Sequence, residues 1–359
     1  MRLSEIEATV VYPDGREHGI PIIQIRADDG LTGWGEAQAS RVPEAVCEVV
    51  SNWIGPALKN CVLPRRREEI ESIWDSMHEA ARREAECGGL ADAALGAVDM
   101  ALWDLAGKAR NCAVHRMVEG AGVAEVEAFV SFSCAEALPE TVQPLVDGGF
   151  RVFELRLDRS AEELIAAMDR LRRLVPRNAR IAVNALWRLG VAANSGLARQ
   201  IEKREPLWLA NPLPPEDPLA YGRLAKTLGT PLALGEAYHM HFDLAAFFEE
   251  GAVGMLQPEI GRCGFTEALR MAELAQSRRI PVAVRAGQSL GPQLAAALQL
   301  AALAPGRRVE YRPAWLKTVN SVLAAPVQMR HGKYRVPEEP GLGIELEEPE
   351  VHLLETQMV

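Results

Sequence analysis

From Ala124 onward, short apolar runs recur at a nearly fixed spacing, and no other feature narrows the fold as far. They lie near Phe129–Ser131, Val152–Leu155, Ile181–Val183, Leu207–Leu209, Leu232–Leu234, Val253–Leu256, Pro281–Val284 and Val309–Tyr311, roughly 22–29 residues apart, with a helical segment in each interval. Runs this short and this apolar suit parallel strands buried on both faces. Ser160-Ala-Glu-Glu163 reads as a capping box that opens one of the helices; others are expected over Thr266 to Ser277 and Pro292 to Leu303. Eight strands with seven helices between them are the count of a (β/α)7β barrel, a modified TIM barrel.

The segment ahead of the barrel has a different texture. Residues 3–11 and 20–27 alternate as strands, and Asp28-Asp-Gly30 turns into Leu-Thr-Gly-Trp-Gly-Glu36, giving a small antiparallel meander. Its glycines follow a hairpin and do not lead from strand into helix, so they are not a nucleotide loop. From Pro43 to Glu119 the pattern is helical, with Leu95, Val98, Leu102 and Leu105 on one face of a helix rich in Ala and Gly, suited to close packing on a neighbour. Asp99 and Asp104 on that helix are expected to be buried or capping acids satisfied by the backbone. The tail from Asn320, with short strands and the turn Pro340-Gly-Leu-Gly343, is expected to return to the meander. The division is then 1–122, an α+β capping domain; 123–319, the barrel; and 320–359, a C-terminal segment rejoining the cap.

Charge removes several classes of partner. The chain of 359 residues carries a net charge of −10, which repels nucleic-acid phosphates and anionic lipid. Its longest apolar stretch, Leu294 to Ala304, is far short of a membrane span, and the N-terminus lacks the apolar run of a signal peptide. Six scattered cysteines form no C-x-x-C pair and suit a reducing compartment. A cytoplasmic protein that self-associates symmetrically and takes a small-molecule partner is the expectation.

Chemistry in such a barrel gathers at the carboxyl ends of the strands. Those ends offer a ring of alternating sign: Glu154 and Arg156, Asn184, Asn211, Glu236, Glu259, Arg285, Glu310 and Arg312. Glu236, directly after Leu-Ala-Leu-Gly235, is the first candidate metal ligand; His239 and His241 follow as a His-x-His that could join it around a transition metal. The loop Tyr12–Ile20 is expected over the barrel mouth, offering Arg16 and His18 to a ligand.

In their order, the motifs Asp-Gly-Leu-Thr-Gly-Trp-Gly-Glu-Ala, Ala-Val-Asp-Met-Ala-Leu-Trp-Asp-Leu-Ala-Gly-Lys, Leu-Gly-Glu236, Leu-Gln-Pro-Glu259 and the late Pro-Gly-Leu-Gly resemble the enolase superfamily, in its mandelate racemase and muconate lactonizing branch. The resemblance implies an α+β cap over a (β/α)7β barrel. It also implies Mg²⁺, held by acids after the third, fourth and fifth barrel strands, which stabilises the enediolate formed when a Lys or His removes an α-proton from a carboxylate. This sequence departs from that pattern. Ala182 and Ala210 stand at two of the three ligand positions and only Glu236 is kept; Glu154-Leu-Arg156 replaces the Lys-x-Lys, and Glu259 with Arg285 replaces the Asp-His dyad. Arginine is no general base near neutrality, and Glu259 with Arg285 reads as a fixed ion pair. The expectation is therefore a relative that has lost Mg²⁺-dependent proton abstraction, needs no cofactor, and binds a small acid-sugar-like carboxylate among Arg16, His18, Asn184, Asn211 and Arg312. The alternatives are a metal-independent lyase, racemase or isomerase with Glu154 or Glu236 as base, and a structural partner of an active paralogue.

Overall fold

The computed structural model describes residues 1–13, 18–39, 41–84, 87–120, 122–190 and 195–347. The meander consists of β1 (Leu3–Val11), β2 (Ile20–Ala27) and β3 (Thr32–Glu36), antiparallel in that order, with Ile6 opposite Ile25 and Gln24 opposite Trp34. Helix α1 (Pro43–Val49) runs through a π turn at Val50–Ile54 into α2 (Gly55–Leu58), and α3 (Arg67–Arg83) follows. The long α4 (Gly89–Arg110) is buried on all sides from Asp92 to Gly107, because the meander covers one flank and the barrel the other. Asn111 ends it in the left-handed conformation, φ 54°.

The barrel strands are β4 (Glu125–Ser133), β5 (Val152–Arg156), β6 (Arg180–Asn184), β7 (Leu209–Ala210), β8 (Leu232–Leu234), β9 (Met255–Leu256), β10 (Ala283–Val284) and β11 (Arg308–Tyr311). Helices α5 (Pro139–Asp147), α6 (Ala161–Leu174), α7 (Ser195–Glu202), α8 (Pro218–Thr227), α9 (Ala245–Glu249), α10 (Ile260–Ser277) and α11 (Pro292–Leu303) fill the seven intervals. All eight strands are parallel in the order β10-β11-β4-β5-β6-β7-β8-β9, and single bridges Leu256–Val282 and Glu259–Arg285 close the ring. The expected capping box is present at α6, where Ser160 Oγ accepts from the Glu163 amide. α10 begins six residues before the expected Thr266, across a kink at Gly264.

The tail takes a route of its own. Helix α12 (Pro313–Val322) spans the expected boundary at 319/320, and the hairpin β12 (Met329–Arg330) with β13 (Lys333–Arg335) pairs with β4 of the barrel, not with the meander. The chain then reaches the cap at α4, where the Leu342 amide donates to Asp104 and Glu345 pairs with Lys108.

Candidate functional site

Alternation along the strands turns Phe129, Val152, Ala182, Trp208, Ala210, Ala233, Met255 and Ala283 into the barrel, where they form one buried apolar plug. The next inward positions carry charge. Arg285, just past β10, is 1% exposed and stands at the centre of that layer. Its Nη2 donates to both carboxylate oxygens of Glu154 at 2.9 Å and to Gln257 Oε1 at 3.1 Å, and its Nη1 donates to Glu310 Oε1 at 3.2 Å. Its Nε makes an ion-pair contact of 3.0 Å with Glu236 Oε2, and the guanidinium lies 5.7 Å from the centroid of the Phe129 ring. Burial alone would drive the Arg285 pKa down, but Glu154, Glu236 and Glu310 outweigh it and keep the group charged.

Each acid of the ring is in a different state. Glu154 is fully buried, and Trp208 Nε1 (2.8 Å) and Ser131 Oγ (3.3 Å) also donate to it; burial pushes its pKa up while Arg285 pulls it back. Held in this way, it has no face left to act as the base that the sequence suggested. Glu310 accepts from Arg285 Nη1 (3.2 Å) and Arg312 Nε (3.1 Å), both at Oε1; burial is outweighed by the two arginines, and its pKa falls to about 2. Glu259 is the reverse. Burial, then repulsion from Glu310 and Glu236, raises it to about 8, so it keeps its proton through neutrality, and Gln293 Nε2 donates to it. The expected ion pair between Glu259 and Arg285 does not form: the two residues meet only through backbone, and the carboxylates around Arg285 are those of Glu154, Glu236 and Glu310.

Glu236 keeps 18% of its side-chain surface. Asn211 Nδ2 (2.7 Å) and Asn184 Nδ2 (3.2 Å) donate to its Oε2, the same oxygen that faces Arg285. Gly235 before it has φ 142°, and a Cβ there would lie 2.6 Å from the Gln257 backbone, so only glycine brings this strand end so close to the next. Besides Glu236, the charged ring residues with open surface are two cations, Arg156 (27%), 3.8 Å from Asp158, and Arg312 (22%). His18 is half-buried just before β2, and Arg16 lies outside the described residues. The His-x-His pair does not join Glu236 around a metal: His241 Nδ1 is 2.8 Å from Glu267 on α10, and burial holds His239 toward its neutral form. Gln257, Trp208, Ser131 and Gln293 complete the site and were not picked out from sequence. For Gln257 and Trp208 the signal was available, because each stands two residues before a position already singled out, Glu259 and Ala210.

Magnesium does not fit this set of donors. Ala182 and Ala210 supply no oxygen, and the Glu236 oxygen facing the ring is filled by two amides and a guanidinium. Among the described residues no three His, Cys, Asp or Glu side chains are grouped to hold a metal ion.

A closed parallel barrel under an α+β cap, with ionisable side chains ringing the carboxyl ends of its strands, defines a capped (β/α)7β barrel protein. The chain belongs to the mandelate racemase/muconate lactonizing enzyme family of the enolase superfamily: residues 137–351 match the enolase C-terminal domain-like model, and residues 15–118 match the N-terminal domain of mandelate racemase/muconate lactonizing enzyme. It is 27% identical to D-galactarolactone cycloisomerase of Agrobacterium fabrum, over 93% of this chain and 90% of that protein. It is 26% identical to D-galactonate dehydratase of Variovorax paradoxus, over 92% and 89%. The fold superposes on 3,6-anhydro-D-galactonate cycloisomerase of Zobellia galactanivorans with a TM-score of 0.90, at 23% identity and covering 99% of each chain. It also superposes on a mandelate racemase/muconate lactonizing protein of Paracoccus denitrificans complexed with magnesium, with a TM-score of 0.86, at 23% identity and covering 98% of this chain and 96% of that one.

Proposed function

We propose that this family member binds a small hydroxy or sugar carboxylate at its barrel mouth without a divalent metal, and that Mg²⁺-dependent α-proton abstraction has been lost. The observation that carries this reading is Arg285 seated against Glu236, with alanines at the two positions where partner ligands would stand. Arg312 and Arg156 keep open surface and offer a carboxylate two cations, and Glu236 with its two asparagines offers hydroxyl groups a polar wall. The names of the relatives, a galactarolactone cycloisomerase and a galactonate dehydratase, point to acid sugars as the ligand class. Calorimetric titration with galactonate, galactarate and related acids tests it, alongside Mg²⁺, Mn²⁺ and Zn²⁺. Expected are saturable binding of an acid sugar, weakened at least about tenfold in Arg312→Ala, and no saturable metal binding at physiological concentration. Saturable Mg²⁺ binding, or no acid sugar bound at millimolar concentration, overturns it.

Glu259 favours a second reading, in which the same pocket epimerises its ligand without metal. Glu236 takes the α-proton on one face, and Glu259, protonated at neutral pH, returns one on the other. Turnover of an acid-sugar library that vanishes in Glu236→Gln supports it; no turnover by the native protein removes it. Cytoplasmic residence and symmetric self-association belong to this proposal as well, and sedimentation of the pure protein tests the latter.

A further inference from the structure

The oxygens around Arg285 are arranged for a planar cation. Nη2 faces the two oxygens of Glu154 and the amide oxygen of Gln257, Nη1 faces Glu310, and Nε faces Glu236. Five oxygens from four side chains thus meet the edges of one guanidinium, while the Phe129 ring lies 5.7 Å from it. Glu154, Gln257 and Glu310 are each at most 2% exposed; Arg285 Nε meets Glu236 as an ion-pair contact without a hydrogen bond, and Gln257 Nε2 has no hydrogen-bond partner. An oxygen about 3 Å from a guanidinium nitrogen lies roughly 4 Å from the centre of the group, about twice the Mg–O distance of ~2.1 Å. Three of the oxygens gather around Nη2 and the other two lie on separate edges of the group, so with these side chains as they stand the five cannot together reach a single Mg²⁺.

We propose that these side chains form a guanidinium-selective cage and that Arg285 is its resident cation, a tethered charge holding the acids together where relatives use a metal ion. The proposal rests on the metal-free part of the reading above and not on the acid-sugar ligand. It implies that the cage, once vacated, binds a free guanidinium ion in preference to a divalent metal.

Arg285→Ala tests this by chemical rescue in thermal melts. The variant is expected to melt well below the native protein. Methylguanidinium at ten times its Kd should raise the variant's Tm by about 2 °C, with NaCl at equal ionic strength and MgCl₂ both giving less and the native Tm not rising. Arg285→Lys is the second variant, for the case in which the alanine variant does not fold. Its ammonium keeps the charge but cannot reach three edges at once, so it should fold, melt below the native protein and gain nothing from methylguanidinium. The cage is refuted if methylguanidinium does no more than NaCl for the alanine variant, or if MgCl₂ stabilises that variant more. A lysine variant that melts with the native protein, or saturable Mg²⁺ binding by the native protein, also refutes it. A native protein that binds no acid sugar removes the ligand reading and leaves these melts to decide the cage.

Discussion

Glu259 and Glu310 belong to one ring and are held in opposite protonation states, which gives substitutions there opposite signs. Glu310 is ionised against two arginines, with its pKa lowered to about 2, so its charge contributes stability at neutral pH that is lost as pH falls from about 4 through that low value. Glu310→Gln should therefore lower stability by about 3 kcal/mol at pH 7. Glu259 is raised to about 8; at pH 7 it is neutral in the fold and ionised in the unfolded chain, so folding must take up a proton. Glu259→Gln removes that uptake and should raise stability by roughly 2 kcal/mol at pH 7. Urea unfolding of both variants at pH 7 decides the signs, and two losses would contradict the assignment. At this scale the sequence was informative about position and less so about state. Glu154, Glu236, Arg285 and Glu310 were placed on the ring because strand ends can be read from apolar runs. That Glu154 is clamped, and that Arg285 turns to Glu154 and not to Glu259, depends on Trp208, Ser131 and Gln257 arriving from three other strands.

Among the elements, α4 is the one whose sequence most directly announced its role. Its run of Ala and Gly implied a close neighbour, and it has two. A Cβ on Gly35 of β3 would lie 1.9 Å from the Ala97 carbonyl oxygen, and one on Gly96 would lie 2.6 Å from the Gly264 amide of α10. Gly33 and Gly35, two of the glycines in the stretch that imitates a nucleotide loop, are thus contact points where backbone meets backbone. Gly35→Ala and Gly96→Ala should each cost about 3 kcal/mol, the upper range for overpacking, because the obstructing atoms are backbone and cannot rotate away. Gly196→Ala in α7 is the control: a Cβ there meets nothing within 4 Å, and the change should stabilise by about 0.5 kcal/mol. Chemical denaturation of the three variants checks the ordering. The tail was less legible at this scale, since a two-residue strand such as β12 carries too little pattern to name β4 as the strand its hairpin joins.

For the molecule as a whole, the cap is fastened to the barrel and tail through buried acids, and this ties its stability to pH. Glu36 on β3 accepts from Ser289 Oγ and from the Leu290 and Gln293 amides at the start of α11. Asp99 on α4 accepts from the Thr266 amide and hydroxyl on α10, and Asp104 from the Trp34 and Leu342 amides and Lys108. Burial with backbone donors is what the sequence led to expect of Asp99 and Asp104, but not their part in fastening the cap; Glu36 stood inside a quoted motif without a role assigned to it. Burial is the largest influence on each, and despite their donors it raises Glu36 and Asp99 to about 7 and Asp104 above its ordinary value. For an acid whose folded pKa lies above its unfolded one, the fold holds the proton more tightly, so stability falls as pH rises from the unfolded value through the folded one. For Glu36 and Asp99 that window runs from about 4 to about 7 and levels off about a unit higher; Glu259 extends it to about 8 with the same sign. His239 opposes it only on the acid side, because its folded pKa is depressed and the unfolded chain gains protons below about 6.5. Between pH 6 and pH 8, Glu36 and Asp99 should each remove roughly 1 kcal/mol, so the native protein should melt several degrees higher at pH 6 than at pH 8. Glu36→Gln keeps an acceptor for the α11 amides while removing the ionisation, so it should raise Tm at pH 8 and leave a shallower profile. Calorimetric scans of both proteins across this range check it. A native Tm that climbs toward pH 8, or a Glu36→Gln profile as steep as the native one, would show that these acids ionise freely in the fold and that burial does not govern how the cap is held.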